Sequence, residues 1–207
     1  LSIIPLSIYT TKNFIKIELG LGKGKKEYQK KDAKKKKDIQ RSVELTYQWA
    51  KRCKESYNGN GRLFGIIQGG IYKDLRRKSA ELITSLDFDG YAIGGLAIGE
   101  KPDVMFEMVK VQEPLMPASK IRYLMGLGGP REIVEAVALG MDLFDSAYPT
   151  LVGRHGRLFT RSGDIDINKK TYIEDINAVD KDCSCYVCKN FTKSYLHHLH
   201  RMKETLG

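Results

Sequence analysis

The sequence predicts an α/β fold: a parallel sheet covered by helices, either an open doubly wound sheet or half of a (β/α)8 barrel, with a cysteine cluster suited to a metal after it. Three observations predict it. Between residues 38 and 150, short apolar runs alternate with stretches of helical periodicity. Each apolar run stops at glycine or a polar residue, which puts the chemistry at the strands' C-terminal edge. Three of the four cysteines then crowd into one C-x-C-x-x-C segment. An open doubly wound sheet fits the first two observations equally well. A whole barrel takes about 250 residues, so four strand–helix units make half of one.

Residues 1–37 carry little legible pattern and end in GKGKKEYQKKDAKKKK, which reads as a solvated helix face or a disordered segment. From residue 38, Ile39, Val43, Thr46, Ala50 and Cys53 recur at helical spacing, and Cys53 is expected as a core thiol on that stripe. Residues 63–67 form the first barrel strand, closed by Gln68, Gly69 and Gly70, with an amphipathic helix through Leu86. Residues 91–93 form the second, closed by Gly94 and Gly95, with a helix over 103–112. Residues 122–125 form the third. The helix after it opens at Pro130 and stops at Gly140, the proline start and glycine finish that helix ends favour. Leu143 and Phe144 begin the fourth. Beyond Pro149 the rhythm breaks: 157–160 and 164–167 flank a turn and read as a hairpin, and a last helix begins near Asn190. The expected organisation is therefore a lysine-rich segment over 1–37, strand–helix units over 38–150, and a hairpin with the cysteine cluster over 151–207.

The totals narrow the function class. The chain has 207 residues and a net charge of +10, which favours a polyanionic partner, although lysines kept for solubility explain such a charge equally well. No run approaches the roughly 20 apolar residues of a membrane span, and no ordered signal-peptide zones are present, so a cytoplasmic address is expected.

Asp145 stands where a buried strand would emerge at the catalytic rim. A carboxylate there serves as nucleophile, general base, metal ligand or plain loop cap, the last being the commonest. Gln68 ends the first barrel strand in the same layer, and its amide can both donate to and accept from a flat heterocycle. Gly94, Gly95, Leu96 and Ala97 offer backbone groups beside it. The run from Gly126 to Glu132 passes from glycine loop to helix start, which suits a phosphate or is simply a tight turn. Cys183, Cys185 and Cys188 suit thiolate ligation of zinc, but a tetrahedral site needs a fourth ligand. His197, His198 and His200 look poorly placed to supply it.

The segments LFGIIQGG, SLDFDGYAIGGLAIGE, RYLMGLGGPREIVEAVALGMDLFDSAYPT, GRHGRLFT and CSCYVCKNFTKSYLHHL follow in the order and spacing of tRNA-guanine transglycosylases, bacterial type, and the resemblance covers residues 38–207. It implies a (β/α)8 barrel with a structural zinc subdomain, and exchange of the wobble guanine of tRNA for a deazaguanine base. It implies that Asp145 is the nucleophile and forms a covalent ribosyl-aspartate. Gln68, Gly95, Leu96, Ala97 and Met125 are implied to bind the base. Gly126, Leu127, Gly128, Gly129, Pro130, Arg131 and Glu132 are implied to contact tRNA, together with Thr150 and Arg154. Cys183, Cys185 and Cys188 would hold Zn2+. Phe191, Tyr195 and His198 match an aromatic patch used for homodimerisation, their spacing placing them on one helix face, or else are ordinary packing residues. Ile98 stands where queuine-using members tend to carry glycine, which points to the smaller aminomethyl-deazaguanine.

The departures are specific. Leu151 replaces the arginine usual after the threonine. The general-base aspartate lies upstream of this chain. The base-binding acid–Glu–Cys segment expected near residues 15–30 has no clear match, Glu18 being its only stand-in. The zinc histidine falls beyond Gly207, so both ends read as truncated. The alternative function is a non-catalytic tRNA-binding or partner subunit of the same family.

Overall fold

The computed structural model describes residues 2–11, 14–22 and 27–204, with side chains from residue 31 onward. The opening residues form an antiparallel hairpin, β1 (Ser2–Thr11) and β2 (Phe14–Gly22), whose register slips between Pro5 and Ser7. The side chain of Glu18, like the expected base-binding segment near residues 15–30, lies outside the described side chains.

From Glu27 the lysine run is helical. It opens α1 (Glu27–Ser56), a 30-residue helix. Of the expected stripe, Val43 is buried and Ile39, Thr46 and Ala50 are half-buried. Cys53 is not a core thiol: it is exposed. The reason is geometric. The last turns of α1 overhang a groove of about 530 Å³ lined by Leu45, Trp49, Leu63, Phe64 and Phe88, and Cys53 faces that open space.

The expected alternation follows as β3 (Phe64–Ile67), α2 (Lys73–Thr84), β4 (Gly90–Ile93), α3 (Pro102–Gln112), β5 (Ile121–Leu124), α4 (Pro130–Ala138) and β6 (Leu143–Phe144). The four strands are all parallel and lie in sequence order. Right-handed crossovers between sequential neighbours put α2, α3 and α4 on the same side of the sheet. Burial agrees. Ile67, Tyr91, Ile93 and Leu124 share one face by register and are almost wholly buried among Ala80, Ile83, Met105, Met108 and Val109. The other face carries Phe64, Ile66, Ala92, Tyr123 and Leu143, of which Ile66 is 37% and Leu143 43% exposed. Phe64 and Tyr123 meet edge to face across it, ring centroids 6.4 Å apart. Parallel sheets are ordinarily covered on both faces. Here one is covered and one is open, and among the described residues β3 and β6 are unpaired edges.

After β6 the chain enters α5 (Tyr148–Arg154), a helix the sequence pattern does not announce. The hairpin is β7 (Arg157–Thr160) and β8 (Gly163–Asp166). Two short helices close the chain, α6 (Tyr186–Asn190) and α7 (Lys193–Arg201), where one was expected from Asn190. The break between them has a cause: Thr192 caps α7 by accepting a hydrogen bond from the Tyr195 N–H at 3.2 Å. Phe191 is therefore extended backbone outside α7, and Phe191, Tyr195 and His198 do not share one helix face. Phe191 nonetheless stacks on Tyr195, centroids 5.4 Å apart, and meets Tyr186 edge to face.

Candidate active site

The C-terminal ends of β3, β4, β5 and β6 lie side by side, so the residues that follow them line one rim in chain order: Gln68, then Gly94 and Gly95, then Met125 and Gly126, then Asp145.

At one end, the Gln68 N–H donates to Ser79 Oγ at 2.9 Å, which ties the strand end to α2. The Gln68 side chain lies over the Gly94–Gly95 turn. A Cβ on Gly95 would sit 2.5 Å from Gln68 Oε1, so the contact needs glycine, and φ of +67° there favours it too. The next turn is held by Glu100, whose carboxylate accepts from the Ala97 N–H at 2.5 Å and the Ile98 N–H at 3.3 Å. Leu96 is buried, Ala97 is exposed with φ of +59°, and Ile98 is 82% exposed. Gly126 approaches Ala97, and the Met125 N–H donates to the Ile93 carbonyl at 3.3 Å, so the β4 and β5 loops are contiguous.

At the other end stands Asp145. Its Oδ1 accepts from the Tyr123 hydroxyl at 2.6 Å and from the Gly126 N–H at 2.9 Å. The Tyr123 hydrogen bond, followed by the Gly126 N–H, holds the carboxyl below the usual carboxylate range, and the same bond raises the Tyr123 phenol. The result is an exposed, ionised carboxylate with one oxygen fixed by two donors. Such a group can attack an electrophilic carbon at neutral pH without a partner to deprotonate it. If that ionisation matters, Tyr123→Phe has a definite signature. Removing the largest cause returns the Asp145 pKa toward its ordinary value. Activity requiring the carboxylate is present above that pKa and lost as pH falls through it, so the acid limb of the rate profile moves to higher pH. The neutral-pH rate falls by about ten- to a hundredfold, the worth of one hydrogen bond to a charged group. A profile of kcat/KM against pH checks both.

The loop from Gly126 to Glu132 packs against Ser146 and Tyr148, where Gly128 leaves no room for a side chain. Gly129 and Pro130 start α4, and Arg131 pairs with Glu135 at 3.0 Å. Leu127 is turned into the core, so its side chain does not face outward with its neighbours. Thr150 and Arg154 are exposed on α5, with Thr150 Oγ1 donating to the Ala147 carbonyl at 2.9 Å.

Cys183, Cys185 and Cys188 stand apart from this rim. Their sulfurs lie within 4.8 Å of one another, and the Cys188 N–H donates to Cys185 Sγ at 3.5 Å, capping α6. Three converging thiols with a backbone N–H on one sulfur fit a tetrahedral zinc that takes its fourth ligand elsewhere. His197 is committed otherwise, its Nδ1 lying 2.7 Å from the Ile167 carbonyl in a buried setting.

Tyr123, Ser79, Glu100 and the buried Arg76 escape a reading of the sequence by motif. Two left a signal. Tyr123 shares a strand face with Met125 by period two, and Arg76 falls on the buried stripe of α2 with Ser79, Ala80 and Ile83.

Residues 26–207 match the family model described as queuine tRNA-ribosyltransferase. Residues 1–48 match a second, described as SmpB protein. The chain is 47% identical over 170 residues to the queuine tRNA-ribosyltransferase of Halothermothrix orenii, a match covering 82% of this chain and 46% of that protein. It is 46% identical over 171 residues to that of Caldanaerobacter subterraneus subsp. tengcongensis, covering 82% and 46%. It is 48% identical over 172 residues to that of Francisella tularensis subsp. tularensis, covering 83% and 47%. The chain thus spans about half the length of the curated relatives it matches.

Proposed function

The chain belongs to the queuine tRNA-ribosyltransferase family, and from that premise we propose that its sheet rim is the nucleophile and base-binding side of a tRNA-guanine transglycosylase. The observation that carries the proposal is Asp145, ionised and oriented by Tyr123 and Gly126 at the end of the last parallel strand.

Tyr123 and Gly126 engage Oδ1, so attack on C1′ of the wobble guanosine falls to Oδ2. The C1′–N9 bond breaks, its electrons go to the departing base, and guanine leaves on taking up a proton. A ribosyl-aspartate ester remains. The incoming deazaguanine, having lost its N9 proton, attacks C1′ through N9 and expels the carboxylate, and two inversions give net retention. Gln68 and the backbone of Gly95, Leu96 and Ala97 read the purine edge, and Met125 packs on its face. The loop from Gly126 to Glu132, with Thr150 and Arg154, meets the tRNA backbone. The Brønsted base for the proton steps comes from outside the rim described above.

Strand order and the one-sided helix layer support the barrel over the doubly wound alternative, which reverses strand order and covers both faces. On this reading Ile66, Tyr123 and Leu143 line the barrel interior.

The test is incorporation of labelled guanine into an unmodified anticodon stem-loop, chased with aminomethyl-deazaguanine or with queuine. Incorporation displaced by the smaller base and not by queuine supports the proposal, with Ile98 taking the room that queuine's cyclopentenediol needs. A folded chain that binds the stem-loop without incorporating guanine would instead be a tRNA-binding subunit.

We also place zinc on Cys183, Cys185 and Cys188, where it would cross-link the segment between β8 and α7; among the described residues no helix is long and apolar enough to cross a membrane. Cobalt substitution is expected to give a thiolate-to-metal absorption band that Cys185→Ser removes; a band of unchanged intensity in the variant would refute the assignment. The exposed Tyr195, stacked on Phe191, is the face assigned to a second copy, and Tyr195→Ala should shift a light-scattering mass from dimer to monomer.

A further inference from the structure

Arg76 is buried completely, yet among the described residues no carboxylate hydrogen-bonds to it. Its guanidinium is spent on carbonyls. Nε donates to Gly70 O at 2.7 Å, Nη1 to Gly94 O at 2.8 Å and Ile67 O at 3.3 Å, and Nη2 to Gly95 O at 3.0 Å. Gln112 Oε1 lies 3.5 Å from Nη1 and is itself oriented by its amide donating to the Met108 carbonyl. The four carbonyls belong to two loops, the one ending β3 and the one ending β4. Burying a guanidinium among neutral acceptors is costly, and α2 could have packed with leucine there. Desolvation lowers the Arg76 pKa to about 10, partly offset by Glu100, so the group still carries its charge at neutral pH.

The two loops so joined are the ones that present Gln68 and Gly95. We propose that Arg76 is a positioning residue for the base site, a clamp on four carbonyls that fixes the β3 loop against the β4 turn so that Gln68 and the Gly95–Ala97 backbone face one flat purine together. This rests on the transglycosylase reading above. Its geometry explains why arginine is used: the four carbonyls are shared among Nε, Nη1 and Nη2, and an ammonium, with three donors on one atom and no planar fork, cannot span all four at once. Arg76 stays under the turn and reaches no base. A Cβ placed on Gly95 would lie 3.7 Å from Nη2 and 2.5 Å from Gln68 Oε1, so clamp and reading amide meet at the same glycine.

The test compares the full chain with Arg76→Lys and Arg76→Met, measuring guanine exchange at varied guanine. It also follows the Arg76 Nε–H and the Gly95 and Ala97 amides by NMR during guanine titration. The expected result is a guanine KM raised by about tenfold or more in both variants, with kcat at saturating guanine within about threefold of the parent, the pattern of lost base binding. Guanine should also move the Nε–H of the unsubstituted chain. Folded variants with unchanged KM, or with kcat reduced at unchanged KM, would overturn the proposal. If both variants fail to fold, the Nε–H resonance decides: a shift on guanine binding supports the clamp, and a fixed resonance while Gly95 shifts refutes it. An unsubstituted chain that neither exchanges guanine nor shows any guanine-dependent shift would overturn the transglycosylase reading and this proposal with it, whereas normal parental exchange with indifferent variants would overturn this proposal alone.

Discussion

Asp145→Asn is expected to abolish guanine exchange while leaving stem-loop affinity and melting temperature close to those of the parent. Asparagine keeps the size of the side chain, and its amide oxygen can still accept from Tyr123 and the Gly126 N–H. What disappears is the anionic oxygen. A neutral amide is a poor nucleophile toward C1′, so loss of rate exceeds about a thousandfold. Because Asp145 is exposed, little packing is disturbed. The most direct measurement is a denaturing gel: the parent mixed with stem-loop should yield an adduct stable to denaturant, sensitive to alkali as an ester must be, and absent from the variant. An adduct that persists in Asp145→Asn would move the nucleophile to another residue.

The second large effect is on stability. Gly69→Ala should lower the melting temperature by about 5–15 °C, for a loss of about 2–4 kcal/mol. Gly69 has φ of +139°, a region open essentially to glycine. A Cβ there would lie 2.7 Å from the Arg76 nitrogen and 2.9 Å from the Leu75 carbonyl carbon. Both are backbone atoms of α2, so no side chain can swing aside. Either the helix start or the loop behind Gln68 must shift, and guanine exchange should fall along with stability. Thermal denaturation followed by circular dichroism measures the first effect; a melting temperature within a degree or two of the parent would show that the turn is softer than its geometry implies.

The strand–helix alternation was readable because apolar period and glycine punctuation agree over 63–144, and the observed strands begin or end within a residue of their expected places. Cys53 misled because periodicity reports a helix face and not what stands opposite it; here the facing space is a groove. The Phe191 misplacement has a similar origin, since i, i+4 spacing continues across a cap that breaks the helix at Thr192. The opening residues resisted for another reason. The first 48 residues match a second family model and the match to the first begins at residue 26, so most of the stretch expected to hold the base-binding segment lies outside that match. Asp145 could be named from its motif, but Tyr123 and Arg76 act through contacts made between strands and helices far apart in sequence.

β6 pairs with β5 through only two residue positions, Tyr123 with Leu143 and Leu124 with Phe144, and beyond β6 lies no further strand among the described residues. A ladder that short has fewer backbone hydrogen bonds to hold it than the four-position pairings of β3 with β4 and β4 with β5. The amides of the strand leading to Asp145 are therefore expected to exchange with solvent faster than those of β3 and β4, by local opening without global unfolding, and hydrogen exchange measures it. The Asp145 carboxylate is steadied from the side, by a phenol and an amide on the β5 segment, so the frequency of those openings sets an upper bound on how long an attack geometry survives between fluctuations.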